Sequence, residues 1–262
     1  MSDKKTAVVT GSNSGIGLGI ARSLAAEGHN VVINSYTDSD EDHALAAEIA
    51  KEFGNETVYV SADLSKADLS RMLVEKAAEE FGTVDILVNN AGIQHVAPLE
   101  DFPIGKWDAI IAINMSSAFH TSAVAVPLMK EKGWGRIVNV ASAHGLTASP
   151  YKAAYVAAKH GVVGLSKVTA LEFAESKINA TCNALCPGYV LTPLVEGQIE
   201  DQMKAHDMGR EEVLDKVMLT RQPTRQFATV EQMGATTVFL CSDAASQITG
   251  TAISVDGGWT AL

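Results

Sequence analysis

Short runs of β-branched and aliphatic residues alternate with longer amphipathic segments along the chain of 262 residues. Seven of these runs are bounded by turn-forming residues and predict buried strands at 6–10, 30–34, 57–63, 84–90, 136–142, 178–185 and 252–256. Helices are predicted between them, over 15–28, 40–53, 66–81, 104–132 and about 151–174. The alternation predicts one α/β domain over residues 1–262, with a doubly wound parallel seven-stranded sheet and helices on both faces.

Residues 192–228 depart from this alternation, because they are charged, contain methionines and show no strand pattern. One interpretation is a pair of short helices that covers a site, that is, a substrate lid. The alternative is a surface insertion without a role in binding.

Composition and charge exclude several classes of function. The formal net charge is −11, from 31 acidic and 20 basic residues, whereas binding to nucleic acid needs clustered Lys and Arg. The first residues do not form a signal peptide, and no uncharged apolar run approaches the roughly 20 residues of a membrane span. Three cysteines, Cys182, Cys186 and Cys241, form neither a disulfide framework nor a paired metal site. We expect a soluble cytoplasmic protein that binds no metal.

A glycine-rich turn joins the first strand to the first helix. Gly11 permits a tight turn, Gly15 lets backbone N–H groups approach a pyrophosphate, and Gly17 allows close packing of the helix on the strand. The spacing G-x-x-x-G-x-G, without a following G-K-[ST], excludes a Walker-type P-loop. The turn therefore favours dinucleotide binding, and a packing turn without a ligand is the alternative.

Four motifs in this order resemble the short-chain dehydrogenase/reductase family: T-G-x-x-x-G-I-G at 10–17, N-N-A-G at 89–92, Y-x-x-x-K at 155–159 and C-P-G-Y-V-x-T-P at 186–193. The resemblance covers nearly the whole chain and implies a Rossmann-type fold. It also implies dinucleotide contacts from Gly11, Ser14, Gly15, Ile16, Gly17, Tyr36, Asp63, Leu64, Asn90, Ala91, Gly92, Tyr155, Lys159, Pro187, Gly188, Val190 and Thr192.

The loop after the second strand, N-S-Y-T-D-S-D-E-D, contains acids and no base. Because the 2′-phosphate of NADP needs a cation, this loop favours NAD. Members of the family that use NAD often carry Asp where Ser35 stands here, so the partner of the ribose hydroxyls stays open. Tyr36 either lies along the adenosine or is a surface aromatic. Asp63 and Leu64 resemble an adenine-contacting pair, with a helix N-cap as the alternative for Asp63.

The pair Tyr155 and Lys159 lies at i and i+4 on a predicted helix. Hydride transfer at a carbinol needs an acid/base, and an ammonium group close to Tyr155 favours the phenolate and lowers its pKa. Ser142, at the carboxyl end of the fifth strand, is placed to hold the substrate oxygen. The resemblance implies that Asn114, Ser142, Tyr155 and Lys159 are catalytic, with Asn114 supporting a water relay to the lysine.

Tyr151 also has a partner four residues on, but that partner is Tyr155 rather than a cation. Ser149 and Pro150 read as the N-cap and first residue of a helix. Tyr151 then lies in the first turn, and we assign it to packing.

Polar residues beside the catalytic motif indicate an anionic substrate. Lys152 lies three residues before Tyr155, His144 lies two after Ser142, and Gln94 follows N-N-A-G-I. Together they favour charge-assisted hydrogen bonds to a carboxylate, and Gln198 of the lid segment adds a fourth donor.

These residues resemble a group within the family that interconverts (R)-3-hydroxybutyrate and acetoacetate with NAD. Tyr189 stands where that group often has Trp, and Trp259 is expected to border a neighbouring subunit's site. The resemblance also implies a homotetramer. The alternatives are a relative acting on a sugar or a 3-ketoacyl thioester, and a catalytically idle NAD sensor, which should have lost part of the Ser-Tyr-Lys set.

Overall fold

The computed structural model describes residues 4–261, and within that range the strands form one parallel seven-stranded sheet. The strands are β1 (Thr6–Val9), β2 (Asn30–Ser35), β3 (Thr57–Ser61), β4 (Ile86–Asn89), β5 (Trp134–Val140), β6 (Asn179–Pro187) and β7 (Ala252–Val255). Their order is β3-β2-β1-β4-β5-β6-β7. The order reverses between β1 and β4, and the carboxyl ends of these two strands form the crevice where such sheets bind ligands.

Helices cover both faces of the sheet. They are α1 (Gly15–Ala26), α2 (Asp40–Phe53), α3 (Ala67–Phe81), α4 (Ile104–Ile111), α5 (Ser117–Lys132), α6 (Ala153–Glu175), α7 (Pro193–His206), α8 (Arg210–Val213) and α9 (Val230–Cys241). A π-helical turn, Ala112–Ser116, joins α4 to α5.

The alternation of side chains along the strands builds two separate cores. Ala7 and Val9 of β1 pack with Ile20 and Leu24 of α1 on one face, where Met233 of α9 also lies. Val8, between them in sequence, packs on the opposite face with residues of α3, α5 and α6. The central strands β1, β2, β4, β5 and β6 are therefore buried on both faces, which is why their sequences are rich in apolar residues, whereas the edge strands β3 and β7 are partly exposed.

Most of the segment 192–228 is helical, as the first of the two interpretations, a pair of short helices, predicts. After α7 and α8 come a π-helical turn, Leu214–Met218, and a 3₁₀ turn, Leu219–Arg221. Ile199, Val213 and Met218 form a small core of their own, and Tyr189 packs against it. Helix α9 was not among the predicted elements.

Within residues 4–261, one continuous helical run, Ile104–Lys132, has the length and apolar composition of a membrane span. The same run carries the buried Thr121, whose hydroxyl donates a 2.6 Å hydrogen bond to Asn89 Oδ1 on β4. This bond fixes the run against the sheet, as expected of a core helix.

Candidate active site

The glycine turn lies at the carboxyl end of β1 and is held by the neighbouring strand. Gly11 and Gly15 have φ values of +59° and +56°, which favour glycine. Asn90 Nδ2 donates 2.9 Å hydrogen bonds to the carbonyl oxygens of Thr10 and Gly11. Asn34 Oδ1 accepts a hydrogen bond from the Gly11 amide at 3.2 Å. The turn is thus fixed from both β4 and β2.

The first turn of α1 has no side-chain cap, because Ser14 at the N-cap makes no capping hydrogen bond. By contrast, α2 and α9 each begin with a complete capping box. The amide groups of the first turn of α1 are therefore free of a side-chain acceptor, and the positive end of the helix dipole opens onto the crevice. This arrangement fits a pyrophosphate, which supplies the missing acceptors.

The crevice has a volume of about 610 Å³ and runs from the glycine turn to the predicted catalytic residues. Many of the predicted dinucleotide residues line it: Gly11, Ser14, Gly15, Ile16, Tyr36, Asp63, Leu64, Asn90, Ala91, Gly92, Tyr155, Lys159, Pro187 and Thr192. Ser142 and Gln94 also line it. Its size and its uncapped helix end fit a dinucleotide.

Three of the predicted dinucleotide residues do not line the crevice. A Cβ on Gly17 would meet the Gly11 carbonyl oxygen at 2.3 Å, so this glycine serves the close packing of α1 on the turn. A Cβ on Gly188 would meet Gln222 Oε1 at 2.6 Å, on the side of the lid segment. Val190 is buried, and its backbone pairs with Ala228. All three support the walls rather than face a ligand.

The end of the crevice beside β2 has no lysine or arginine among the described residues that line it. Ser35, the last residue of β2, lines the crevice, and so does Tyr36, which is 78% exposed. Asp63 is not the N-cap of α3, since Lys66 holds that position. The Asp63 carboxylate accepts a hydrogen bond from the Ser65 amide at 3.0 Å, and this bond lowers its pKa.

Asp42, which the sequence did not single out, ties α2 to the glycine turn. Its carboxylate accepts hydrogen bonds from Asn13 Nδ2 at 3.0 Å and from the Thr37 hydroxyl at 2.7 Å, while the Ser39 amide donates at 3.2 Å. These donors, Asn13 foremost, lower the pKa of Asp42 to about 2. Because Asn13 lines the crevice, a permanent negative charge stands directly behind this wall.

Tyr155 lies on α6 between Ser142 and Lys159. Ser142, just beyond the end of β5, is a hydrogen-bond partner of the Tyr155 side chain. The Lys159 ammonium lies 5.7 Å from the centroid of the Tyr155 ring and is almost fully buried. The three predicted catalytic side chains therefore meet at the inner end of the crevice.

The balance of effects on Tyr155 differs from the prediction. Burial raises the pKa of the Tyr155 phenol, and the hydrogen bond with Ser142 opposes that rise. The Lys159 ammonium is turned toward the Val140 carbonyl oxygen, 2.7 Å away, so its charge acts on Tyr155 across the ring, 5.7 Å from the centroid, rather than through a hydrogen bond to the phenol. Burial also lowers the pKa of Lys159 itself, to about 8. Desolvation thus dominates both groups.

Asn114 is buried in the π-helical turn between α4 and α5. Its Oδ1 accepts a hydrogen bond from the Ile93 amide at 2.8 Å, and its Nδ2 donates to the Ile93 carbonyl oxygen at 2.9 Å. The side chain is therefore committed to the loop after β4, which carries Gln94. This geometry assigns the Asn114 side chain to positioning that loop, and its part in a water relay to Lys159 stays a prediction.

The aromatic wall beside Tyr155 is built from residues far apart in the sequence. The His144 ring packs edge-on against Tyr155 and Trp259, with centroid separations of 5.9 and 5.1 Å. Tyr189 lies 5.5 Å from Trp259. Trp259 is therefore buried within its own chain against His144, and its position at the border of a neighbouring subunit's site stays a prediction.

Lys152 lies just before α6, whereas the prediction placed it within the helix on the same face as Tyr155. It is the N-cap residue of α6, with φ −120° and ψ 35°, so it does not share a helix face with Tyr155. Burial, and then the charge of Arg221, lower the pKa of Lys152. Gln198 lies on α7, and its side chain makes no hydrogen bond with the side chains and backbone that the structure describes.

The loop before α6 also corrects the predicted helix start. Ser149 and Pro150 precede the helix, and Tyr151 adopts a left-handed conformation with φ +67°. Tyr151 is 58% exposed, so the assignment to packing is wrong. The Ser149 hydroxyl lies 2.8 Å from His144 Nε2 and accepts a 2.8 Å hydrogen bond from Arg221 Nη1.

Arg221, at the end of the 3₁₀ turn of the lid segment, is the principal residue near the site that sequence reasoning missed. Its charge lowers the pKa values of His144 and Lys152. No local pattern marks it, since its partner Ser149 lies 72 residues away in sequence. In the part of the chain that the structure describes, no cluster of His, Cys, Asp or Glu could hold a metal ion.

The assembled groups can perform reversible proton and hydride transfer at a carbinol carbon. Tyr155 supplies an acid/base, Ser142 a second hydroxyl, and Lys159 a buried cation, all at one end of a crevice that fits a dinucleotide. Lys152 and Arg221 add positive charge on the side of His144.

Comparisons with known proteins agree with this arrangement. A protein-family profile described as Enoyl-(Acyl carrier protein) reductase matches residues 11–260. A D-beta-hydroxybutyrate dehydrogenase of Rhizobium meliloti (strain 1021) is 54% identical over 257 residues, which cover 98% of this chain and 99% of the relative. A D-beta-hydroxybutyrate dehydrogenase of Cupriavidus necator is 54% identical over 262 residues, the full length of both chains.

Solved structures agree on the fold. The crystal structure of an actinorhodin polyketide ketoreductase with NADPH superposes with a TM-score of 0.91 at 31% identity, covering 100% of this chain and 99% of that one. The predicted doubly wound parallel sheet is confirmed. By its matched profile, its full-length relatives and its four motifs, the chain belongs to the short-chain dehydrogenase/reductase family.

Proposed function

We propose that the protein is an NAD-dependent dehydrogenase that oxidises (R)-3-hydroxybutyrate to acetoacetate, reversibly. The observation that carries this proposal is 54% identity, along essentially the whole chain, with two D-beta-hydroxybutyrate dehydrogenases. The cationic side of the site, with Lys152 and Arg221 about His144, supports an anionic substrate. A carboxylate there would neutralise charges that now repel each other.

NAD, when bound, accepts the hydride from C3 of the substrate. Ser142 holds the substrate oxygen, and Tyr155 takes the hydroxyl proton as the carbonyl forms. Lys159 keeps a positive charge 5.7 Å from the Tyr155 ring, which favours the phenolate that must receive this proton. In the reverse direction, Tyr155 returns the proton to the developing alkoxide.

The carboxylate of the substrate is held by Gln94, His144, Lys152 and Gln198. Gln94 lines the crevice, and its loop is fixed by Asn114. Gln198 approaches from α7, so residues 192–228 act as a lid over the substrate. Tyr189 and Trp259 form the apolar wall beside the short carbon chain.

NAD rather than NADP is supported by the acids behind the adenosine end. Asp42 is held ionised by its donors, and no Lys or Arg stands among residues 35–42. The structural relative was solved with NADPH. A 2′-phosphate on this chain, however, would meet Ser35 and Tyr36 without a cation.

The assay that tests the function is NAD reduction, followed at 340 nm, with (R)- and (S)-3-hydroxybutyrate, lactate, malate and butan-2-ol. We expect activity on the (R)-hydroxy acid and little on the alcohol. Equal activity on butan-2-ol and (R)-3-hydroxybutyrate would contradict the carboxylate site. Tyr155→Phe should nearly abolish turnover while NAD still binds, and retained turnover would refute the acid/base role.

The protein is further proposed to be a cytoplasmic homotetramer. Three free, buried thiols suit a reducing compartment. Phe119, Val168, Leu171 and Phe239 are each about half exposed or more, on α5, α6 and α9, and offer apolar surface for subunit contacts. Light scattering on a gel-filtration column measures the mass directly, and a monomer of 27.6 kDa would contradict the assembly.

A further inference from the structure

A chain of hydrogen bonds joins the end of the lid segment to His144. Arg221 Nη1 donates to the Ser149 hydroxyl at 2.8 Å and to the Ala148 carbonyl oxygen at 3.1 Å. The Ser149 hydroxyl in turn lies 2.8 Å from His144 Nε2. Ser149 has no place in the mechanism above and Arg221 enters it only as a positive charge, yet both are linked by hydrogen bonds to His144.

The direction of these bonds follows from the chemistry of the three groups. A guanidinium has only donors, so the Ser149 oxygen must accept from Arg221. The single Ser149 proton is then free for an acceptor, and His144 Nε2 is the acceptor found for it within residues 4–261. This arrangement favours His144 Nε2 as the acceptor, with the proton of a neutral His144 on Nδ1, because an Nε2–H donor to the second lone pair of Ser149 would leave the Ser149 proton without a partner among the described residues.

His144 is neutral at physiological pH because of its surroundings. Burial is the largest cause, followed by the charges of Lys152, Arg221 and His160, and together they lower its pKa to about 4. A neutral imidazole has one donor, and the bond to Ser149 places that donor on Nδ1. In the described part of the chain, Nδ1 has no hydrogen-bond partner of its own.

The ring cannot easily turn to exchange its two nitrogens. It is only 5% exposed and stands edge-on to Tyr155 and Trp259, while its backbone amide donates to Ser142 Oγ at 3.1 Å. The proton position is thus set by the partner of Nε2 rather than by rotation. Arg221 belongs to the segment 192–228, so the partner of Nε2 is held by a contact between that segment and the loop 148–149.

We propose that Arg221 and Ser149 are positioning residues, which fix His144 as the Nδ1-protonated tautomer so that it donates a hydrogen bond to the substrate carboxylate. The proposal rests on the proposed function for the identity of the acceptor. The proposal links two features of the site, because the contact of Arg221 with the loop 148–149 also fixes the proton of His144 on Nδ1. Neither residue needs to touch the substrate.

The tautomer is measured directly by ¹⁵N chemical shifts of the histidine rings in the full-length protein, without substrate, at pH 7.5. His144→Gln identifies the signal. We expect wild type to show a protonated Nδ1 and an accepting Nε2. Ser149→Ala and Arg221→Met should give a mixture of tautomers, whereas Ser149→Thr, which keeps the hydroxyl, should retain the wild-type pattern.

Steady-state kinetics give the second readout. Ser149→Ala and Arg221→Met should raise the KM for (R)-3-hydroxybutyrate about tenfold, the scale of one charge-assisted hydrogen bond, with a smaller fall in kcat and an unchanged Kd for NAD. Ser149→Thr should stay within about twofold of wild type on the same scale. Arg225→Met is the matched control, because Arg225 pairs with Asp215 in the same segment.

The outcomes separate this proposal from its alternatives. An unchanged His144 tautomer in both Ser149→Ala and Arg221→Met overturns it, and so does an equal rise in KM in Arg225→Met. A rise in KM without a change of tautomer also overturns it, since that result assigns the residues to lid structure alone. If the wild-type protein does not oxidise 3-hydroxybutyrate, the proposed function fails, while the tautomer measurement still decides the role of Ser149 and Arg221.

Discussion

The ammonium of Lys159 donates a 2.7 Å hydrogen bond to the carbonyl oxygen of Val140, the last residue of β5. The cation is therefore anchored to the strand that leads into Ser142, rather than to the Tyr155 oxygen. Its charge acts on Tyr155 across the ring, at 5.7 Å from the centroid. Because Lys159 is buried and its pKa is lowered to about 8, this charge is itself lost within an accessible pH range.

We predict that the kcat/KM of the wild-type enzyme declines above about pH 8, where Lys159 loses its proton, since kcat/KM reports the pKa values of the free enzyme. Lys159→Met should lower kcat by roughly 100-fold, within the usual range for disabled acid–base catalysis. Lys159→Arg is the informative control, because it keeps the charge to higher pH and should weaken the alkaline decline. An identical pH profile in Lys159→Arg would show that the deprotonation of another group causes the alkaline decline in kcat/KM.

Lys152 should act on the substrate rather than on the cofactor. Lys152→Ala is predicted to raise the KM for 3-hydroxybutyrate by about 10- to 100-fold, the cost of a hydrogen bond to a charged group, while the Kd for NAD changes little. Lys167→Ala removes an exposed lysine from the same helix and serves as the control. The clamp would be refuted by a matched loss of NAD affinity, which titration of protein fluorescence measures.

A positive charge introduced at the adenosine end of the crevice should increase the use of NADP. Tyr36 lines this end and is exposed, so Tyr36→Arg places a guanidinium where a 2′-phosphate would lie beside Ser35. We expect kcat/KM with NADP to rise about tenfold or more, the worth of a charge-assisted bond. Tyr36→Gln removes the ring without adding charge and should leave NADP use low. A gain in Tyr36→Gln equal to that in Tyr36→Arg would attribute the effect to space alone.

Much of the fold was predictable because the central strands are buried on both faces and the strands are bounded by breakers, which makes the pattern local. The pair Tyr155 and Lys159 was predictable for the same reason, since i,i+4 spacing on a helix is a local rule. Helix α9 was missed although a signal was present. Thr229 and Gln232 form a capping box, the S/T-x-x-E/Q pattern that marks a helix start.

The remaining errors arise where tertiary partners override local rules. Ser149 resembles an N-cap, but His144 and Arg221 take its hydroxyl, so α6 begins three residues later than that cap would place it, at Ala153. Burial raises the pKa of Tyr155, an effect that the i,i+4 spacing does not reveal, and a strand carbonyl holds the Lys159 ammonium. Arg221 carries no local signal, because its role depends on a contact across 72 residues.

The buried His144 makes stability depend on pH in a defined direction. Its pKa is about 4 in the folded protein, below the ordinary 6.5, so between these values the unfolded chain binds a proton that the native state does not. Stability therefore falls as pH falls from about 6.5 toward 4, and His144 alone should remove about 2 kcal/mol of unfolding free energy between pH 7 and pH 5.

Urea unfolding at both pH values measures this difference. His144→Gln should reduce the loss by about that amount, whereas the exposed His206→Gln should not. An equal pH dependence in wild type and His144→Gln would mean that the ring accepts a proton in the native state.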